Sequence, residues 1–166
     1  YGREPSNLVF FLDDSKGIGS DEEIERYKIR RKYWESVLPL LQEATGTFLN
    51  ISPSKNNSIM GATACSGVYL CCVANYDSAR VEIFIDQGDY QKNRAIYKRL
   101  EQNRDAIEAA YGKSLHWICQ DDVRACKVYD EIKEVSIKNE EDWPVMSAFH
   151  IQRAKALLVA TKQFLA

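Results

Sequence analysis

The sequence predicts an α+β domain: an antiparallel sheet of about four strands, in two hairpins, carrying three helices in the order α-ββ-α-ββ-α. Three observations predict it. Two β-rich runs, Val68–Ala74 and Arg80–Asp86, flank the polar turn segment Asn75–Ala79, which is the pattern of a hairpin. Before them, Ile24, Tyr27, Arg31, Trp34, Val37, Leu38 and Leu41 recur at three- and four-residue spacing, which makes one helix stripe, apolar but for Arg31. After them, Ile96, Leu100, Ile107 and Tyr111 repeat that period between Asp89 and Tyr111.

The chain of 166 residues fits one domain, residues 21–166, behind an N-terminal segment, residues 1–20. In that segment "NLVFFL" (Asn7–Leu12) reads as a first strand or the remnant of an upstream domain, and "DDSKGIGSDEE" reads as a linker. Ser20 and Glu23 match the S-x-x-E capping box that opens a helix. Pro39 lies inside the first helical stripe and lacks a backbone donor, so a kink or a division is expected there. Thr45–Ser66 is rich in Ser, Asn, Gly, Pro and Lys and reads as a long loop, interrupted by a short strand at "TFLNI".

Along the hairpin, alternation turns Val81, Ile83 and Ile85 toward a helix and Glu82, Phe84 and Asp86 the other way. Glu82 is expected opposite a basic partner on the neighbouring strand. Gly112 ends the middle helix. "SLHWIC" and "ACKVYDEIKEVSI", joined by "QDDVR", then read as a second strand pair. Asp142 is placed to cap a last helix with Pro144 in its first turn, and Met146, Phe149, Ala154, Leu157, Leu158 and Phe164 form its apolar side.

Bulk composition narrows the function. Hydrophobic residues make up 45% of the chain, enough for a core, and the net charge of −2 fits neither a basic tail nor an acidic solvating segment. No apolar run reaches membrane-spanning length. Cys65, Cys71, Cys72, Cys119 and Cys126 are odd in number and show no C-x-x-C spacing, so reduced thiols, no disulfide, no metal and a cytoplasmic location are expected. No phosphate-binding loop or nucleophile motif is present, and no cofactor is implied.

Several stretches resemble a known family. "YWESVLPLL" (Tyr33–Leu41), "RVEIFID" (Arg80–Asp86), "KNRAIYKRLEQNRDAIEAAYG" (Lys92–Gly112) and "LHW" (Leu115–Trp117) are similar to the bacterial domain-of-unknown-function family 4268, over roughly residues 28 to 165. The sequence departs from the family pattern after Trp117, at "ICQDDVRACKV". Members often follow a restriction-like nuclease domain, so the resemblance implies an excised C-terminal accessory domain; the absence of a starting Met fits this. The family has no established activity, so no catalytic residue is carried over.

Three functions compete. A restriction-like nuclease needs a carboxylate on one strand and E-x-K on the next to hold magnesium and a water. Glu131 and Lys133 supply "EIK", with Asp86, Asp121 or Asp122 as the acid, although a solvated edge strand has the same composition. A module for binding DNA or RNA needs a positive patch, expected at Arg30, Arg31, Lys92, Lys98 and Arg99 on two helices lying side by side. Tyr33, Tyr76, Tyr90 and Tyr97 are the aromatic neighbours that such a patch would use for stacking. The plainer reading is a solvated face paired with Glu22, Glu25, Glu35 and Glu101. A docking module, for an upstream nuclease domain or a second copy, needs an exposed apolar patch with Trp34, Trp117 or Trp143 as anchors. The expectation favours nucleic-acid binding without catalysis.

Overall fold

A computed structural model describes residues 20–166; the strand expected at Asn7–Leu12 lies outside the described residues. The helix α1 spans Asp21–Thr45 and opens as the capping box requires, with the Glu23 amide donating to Ser20 Oγ at 3.2 Å. It runs undivided through Pro39. Pro39 and Glu35 both lie on its exposed side, so the Glu35 carbonyl that loses its donor lies toward water. The buried side carries Tyr33, Trp34, Val37, Leu38 and Leu41.

Among the described residues the sheet has five strands, not four: β1 Ser58–Ala62, β2 Val68–Ala74, β3 Ser78–Ile85, β4 His116–Ile118 and β5 Cys126–Lys133. They lie in the order β1-β2-β3-β5-β4, every pair antiparallel. The additional strand, β1, falls in the stretch read as loop, while Thr47–Ile51, the expected strand, has no regular structure. The β2–β3 hairpin forms as expected, with Val68 opposite Ile85 and Ala74 opposite Ala79. Between β3 and β4 two helices, α2 (Tyr90–Gln102) and α3 (Arg104–Tyr111), replace the single helix expected. Asn103 breaks them, its side chain donating back to the Arg99 carbonyl at 2.8 Å, and Gly112 ends α3 at φ 99°.

A short 3-10 turn, Glu140–Asp142, leads into α4, Trp143–Leu165, so the described residues form four α-helices in place of three. Asp142 stands at the N-cap of α4 as expected, but its carboxylate accepts from the Ser136 amide and makes no side-chain bond to the helix. Pro144 does sit in the first turn.

All four helices share one apolar core with one face of the sheet. Leu70, Cys72, Val81, Ile83, Ile85, Cys126 and Val128 from that face are buried in it. The central helix is α4, packed on β2 and β3, with α1 on one flank and α2 and α3 on the other. Full burial of each large apolar side chain contributes about 1.5–3 kcal/mol, so this face supplies most of the driving force.

Two polar networks cross the core and fix how the helices sit. His150 of α4 is wholly buried; its Nε2 lies 2.9 Å from the Val73 carbonyl and its Nδ1 2.7 Å from the Tyr33 hydroxyl. A carbonyl only accepts, so Nε2 carries the proton and the Tyr33 hydroxyl donates to Nδ1. Farther along the sheet, the Tyr111 hydroxyl donates to Asp130 Oδ2 at 2.5 Å and accepts from Arg153 Nε at 3.1 Å, with Lys113 Nζ 3.2 Å from Asp130. That network joins α3, α4 and β5.

Two thiols expected to be reduced are instead joined. Cys119 and Cys126 form a disulfide. The register explains it: Ile118 faces Lys127, so the next pair along the β4–β5 ladder is Cys119 and Cys126. Their Cα atoms are 4.5 Å apart, the spacing of a non-hydrogen-bonded antiparallel pair. Cys65, Cys71 and Cys72 remain thiols, and burial pushes the Cys72 thiol far up.

Two outcomes are expected. Burial lowers the His150 pKa from 6.5 to about 4, so folding favours the neutral ring. Stability should hold above pH 6.5 and fall between pH 6.5 and 4, by roughly 3 kcal/mol in all. Thermal melts of His150→Gln should lack the part of that slope above pH 5, and an identical slope would contradict it. Alkylation of protein purified and denatured without reductant should label Cys65, Cys71 and Cys72 only; labelling of all five cysteines would contradict the disulfide.

Candidate functional site

The residues of the opening of α2 converge on the loop between β4 and β5, residues 120–125. Asn93 is fully buried. Its Oδ1 accepts from the Gln87 amide at 2.7 Å, and its Nδ2 donates to Asp86 Oδ1 and to the Arg124 carbonyl, each at 3.1 Å. Asp86 also accepts two hydrogen bonds from Arg124, Nε–Oδ1 at 3.0 Å and Nη2–Oδ2 at 2.7 Å. Burial pushes the Asp86 carboxyl up, but hydrogen bonds from Arg124, the Gly88 amide and Asn93 outweigh it and hold the group below the usual carboxylate range. Arg94 donates to the carbonyls of Gln120, Val123 and Arg124, with its guanidinium 3.7 Å from the Tyr90 ring centre, and the Tyr90 hydroxyl donates to the Asp121 carbonyl at 2.8 Å. The Cys119–Cys126 disulfide closes the base of the same loop.

This clasp forms one end of a groove of about 910 Å³, within the roughly 300–1,000 Å³ range of ligand pockets. Asp86, Gln87, Gly88 and Arg124 line that end. Its middle is Tyr69 and Phe84, directly opposite each other on β2 and β3. The far wall is the loop after α1, residues 46–51, where Phe48 and Asn50 adopt left-handed φ values of 63° and 61°. Asn tolerates that conformation, whereas the buried Phe48 is strained by it. The loop lies tight on β1: a Cβ on Gly61 would come within 2.9 Å of the Phe48 amide nitrogen. Gly67, at φ 79°, plays the same part for Gln87, which a Cβ would meet at 2.4 Å.

The cations singled out in the sequence fall on separate surfaces. Lys92, Lys98 and Arg99 are exposed on α2. Arg31 is exposed on α1, beyond α4. Arg30 is half-buried beside it, its Nη1 3.5 Å from the Lys55 carbonyl and its guanidinium 6.0 Å from the Tyr76 ring centre. Burial lowers the Arg30 pKa. The two helices are thus separated by α4 and not side by side.

Of the aromatic neighbours, Tyr33 and Tyr97 are buried, while Tyr76 and Tyr90 are exposed but covered by cationic side chains. The three tryptophans are held by indole hydrogen bonds: Trp34 to the Asn56 carbonyl, Trp117 to Glu108 and Trp143 to the Ile137 carbonyl.

The E-x-K reading meets a geometric obstacle. Glu131 and Lys133 do share a face of β5, 3.9 Å apart, and Glu131 lies 4.0 Å from Arg80. However, Glu131 pairs in register with Arg80, whereas Asp86 follows Ile85 at the other end of β3, roughly 20 Å away at 3.3 Å per residue. Asp121 and Asp122 lie in the loop at that same far end. Among the described residues no three His, Cys, Asp or Glu side chains converge as a metal site. Glu82, on the same face, is wholly buried and ion-paired to Arg80 of its own strand at 3.1 Å, not to a neighbouring strand.

Sequence reasoning missed Asn93, Arg124, Tyr69 and Asn50. "KNR" and "QDDVR" were both visible, but nothing local connects segments about thirty residues apart.

No curated protein and no solved structure matches the chain. A family model does, over residues 29–165. Its matched span contains the clasp, the groove and the disulfide, and on that match the chain belongs to the family described as Domain of unknown function (DUF4268).

Proposed function

We propose that this domain binds nucleic acid without catalysis of its own, as an accessory module that positions a strand for a catalytic partner such as a nuclease domain. One observation carries the reading. On α2, Lys92, Lys98 and Arg99 are three exposed cations on one helix with no carboxylate partner among the described residues. Arg31, Lys155 and Lys162 are also exposed without one but are divided between α1 and α4, and Lys28, Lys32, Arg104, Lys113, Arg124 and Lys133 are each in an ion pair. Lys92 and Arg99 are seven residues apart, so they project from one side of the helix about 10 Å apart along its axis. Exposed ammonium and guanidinium groups without internal partners are free to neutralise phosphates and release counterions.

A docking module is less well supported. The exposed large apolar side chains among the described residues, including Ile24, Leu40, Leu49, Val145 and Val159, are spread over α1, the following loop and α4. Each tryptophan proposed as an anchor is buried or half-buried.

Charge reversal tests the reading. The Lys92→Glu, Lys98→Glu, Arg99→Glu triple variant should bind nucleic acid more weakly regardless of sequence. Its salt slope should fall by roughly 0.7–0.9 for each phosphate it no longer neutralises. Arg31→Glu, on the far flank of α4, should leave binding nearly unchanged. Binding by the triple variant equal to that of the native protein, in affinity and salt slope, would remove α2 from the function.

A further inference from the structure

We infer that the groove whose end adjoins the start of α2 takes an unpaired base, so that the domain prefers single-stranded over double-stranded nucleic acid. The inference rests on the nucleic-acid reading above and adds a specificity to it. Its starting point is one tyrosine. Among the described residues, every tyrosine except Tyr69 has a hydrogen bond, a ring contact or a cation against its ring: Tyr27, Tyr33, Tyr76, Tyr90, Tyr97, Tyr111 and Tyr129 are all committed. Tyr69 has none of these, and its half-buried ring lines the groove.

Asn50 is in the same position with respect to polar partners. Its side chain makes no hydrogen bond among the described residues, and it lines the opposite wall on backbone held in the left-handed region. A free ring and a free amide in one groove are what a nucleobase uses: a π-face to stack on, and a donor and acceptor for its edge. A duplex offers neither, since its base faces are stacked and its pairing edges are occupied.

Charge gives the strand a path to this point. The groove ends at Asp86, Gln87, Gly88 and Arg124, and Asp89 directly after them caps α2. Lys92 follows in the first turn, and Lys98 and Arg99 lie farther along the same helix. Tyr69 and Phe84 lie on the sheet face away from the helices, so a strand that leaves the groove past Asp86 and Gly88 rounds the end of the sheet and meets Lys92 first, with Lys98 and Arg99 farther along α2. The strained loop carrying Asn50, pinned to β1 at Gly61, holds that wall in place before a ligand arrives.

The test compares a labelled single-stranded DNA of about 12 nucleotides, a usual site size for such surfaces, with its duplex. Native protein, Tyr69→Leu and Asn50→Gly are titrated by fluorescence anisotropy at low salt, with melting curves to confirm folding. Gly is at ease at a φ of 61°, so Asn50→Gly removes the amide without adding strain. The native protein should prefer the single strand. Tyr69→Leu should weaken that binding on the order of tenfold, Asn50→Gly several-fold, and neither should alter duplex binding. Equal native affinity for both forms, or folded variants that bind the single strand as the native protein does, would overturn the groove and leave the α2 reading standing. Absence of native binding to either form would end both.

Discussion

The Asn93 amide holds three segments at one buried point. It accepts the Gln87 amide as the chain leaves β3, donates to Asp86 at the strand end, and donates to the Arg124 carbonyl from a loop about thirty residues later. The Asn93 amide is itself fully buried, where an unsatisfied donor or acceptor costs about 1–3 kcal/mol, while Asp86 and the Arg124 carbonyl also accept from Arg124 and Arg94 respectively. No other side chain of similar size supplies an acceptor and two donors in this geometry. The position of α2, the shape of the 120–125 loop and the end wall of the groove all follow from it. The disulfide adds a covalent restraint to a loop whose carbonyls Arg94, Asn93 and Tyr90 already satisfy.

The same principle recurs in the core. His150 with Tyr33, and Tyr111 with Asp130 and Arg153, each close a buried network between a helix and the sheet. Apolar burial drives the helices onto the sheet without direction, and these bonds select one arrangement. Among the tyrosines of the described residues, Tyr69 alone is uncommitted, and it shares its groove with the unbonded Asn50 side chain. Groups with no internal partner are the ones available to an external one.

What could be read from the sequence was what local chemistry determines. The Ser20 cap, the β2–β3 hairpin and the Gly112 stop each depend on a few adjacent residues, and each formed. The misses were non-local or balanced. β1 gains its partner from β2, not from its own polar Ser-Asn flanks, so Ser58–Ala62 looked like loop. The break at Asn103 leaves the apolar stripe in step on both sides, since Leu100 and Ile107 are both buried, and periodicity therefore did not reveal it. The disulfide was the most accessible of the misses: once a β4–β5 hairpin is assumed, its register alone brings Cys119 opposite Cys126. Asn93 had no such route. Its role is set by a carbonyl whose position only the folded sheet determines.

The role of Asn93 is tested most directly by the stability and amide exchange of Asn93→Ala. If the amide organises the clasp, the variant should lose about 2–4 kcal/mol, and exchange should quicken at the Gln87 amide and through the 120–125 loop, while the β2–β3 amides stay protected. A variant with native stability and native protection across that loop would contradict it, and would reduce Asn93 to one hydrogen-bonding residue among many.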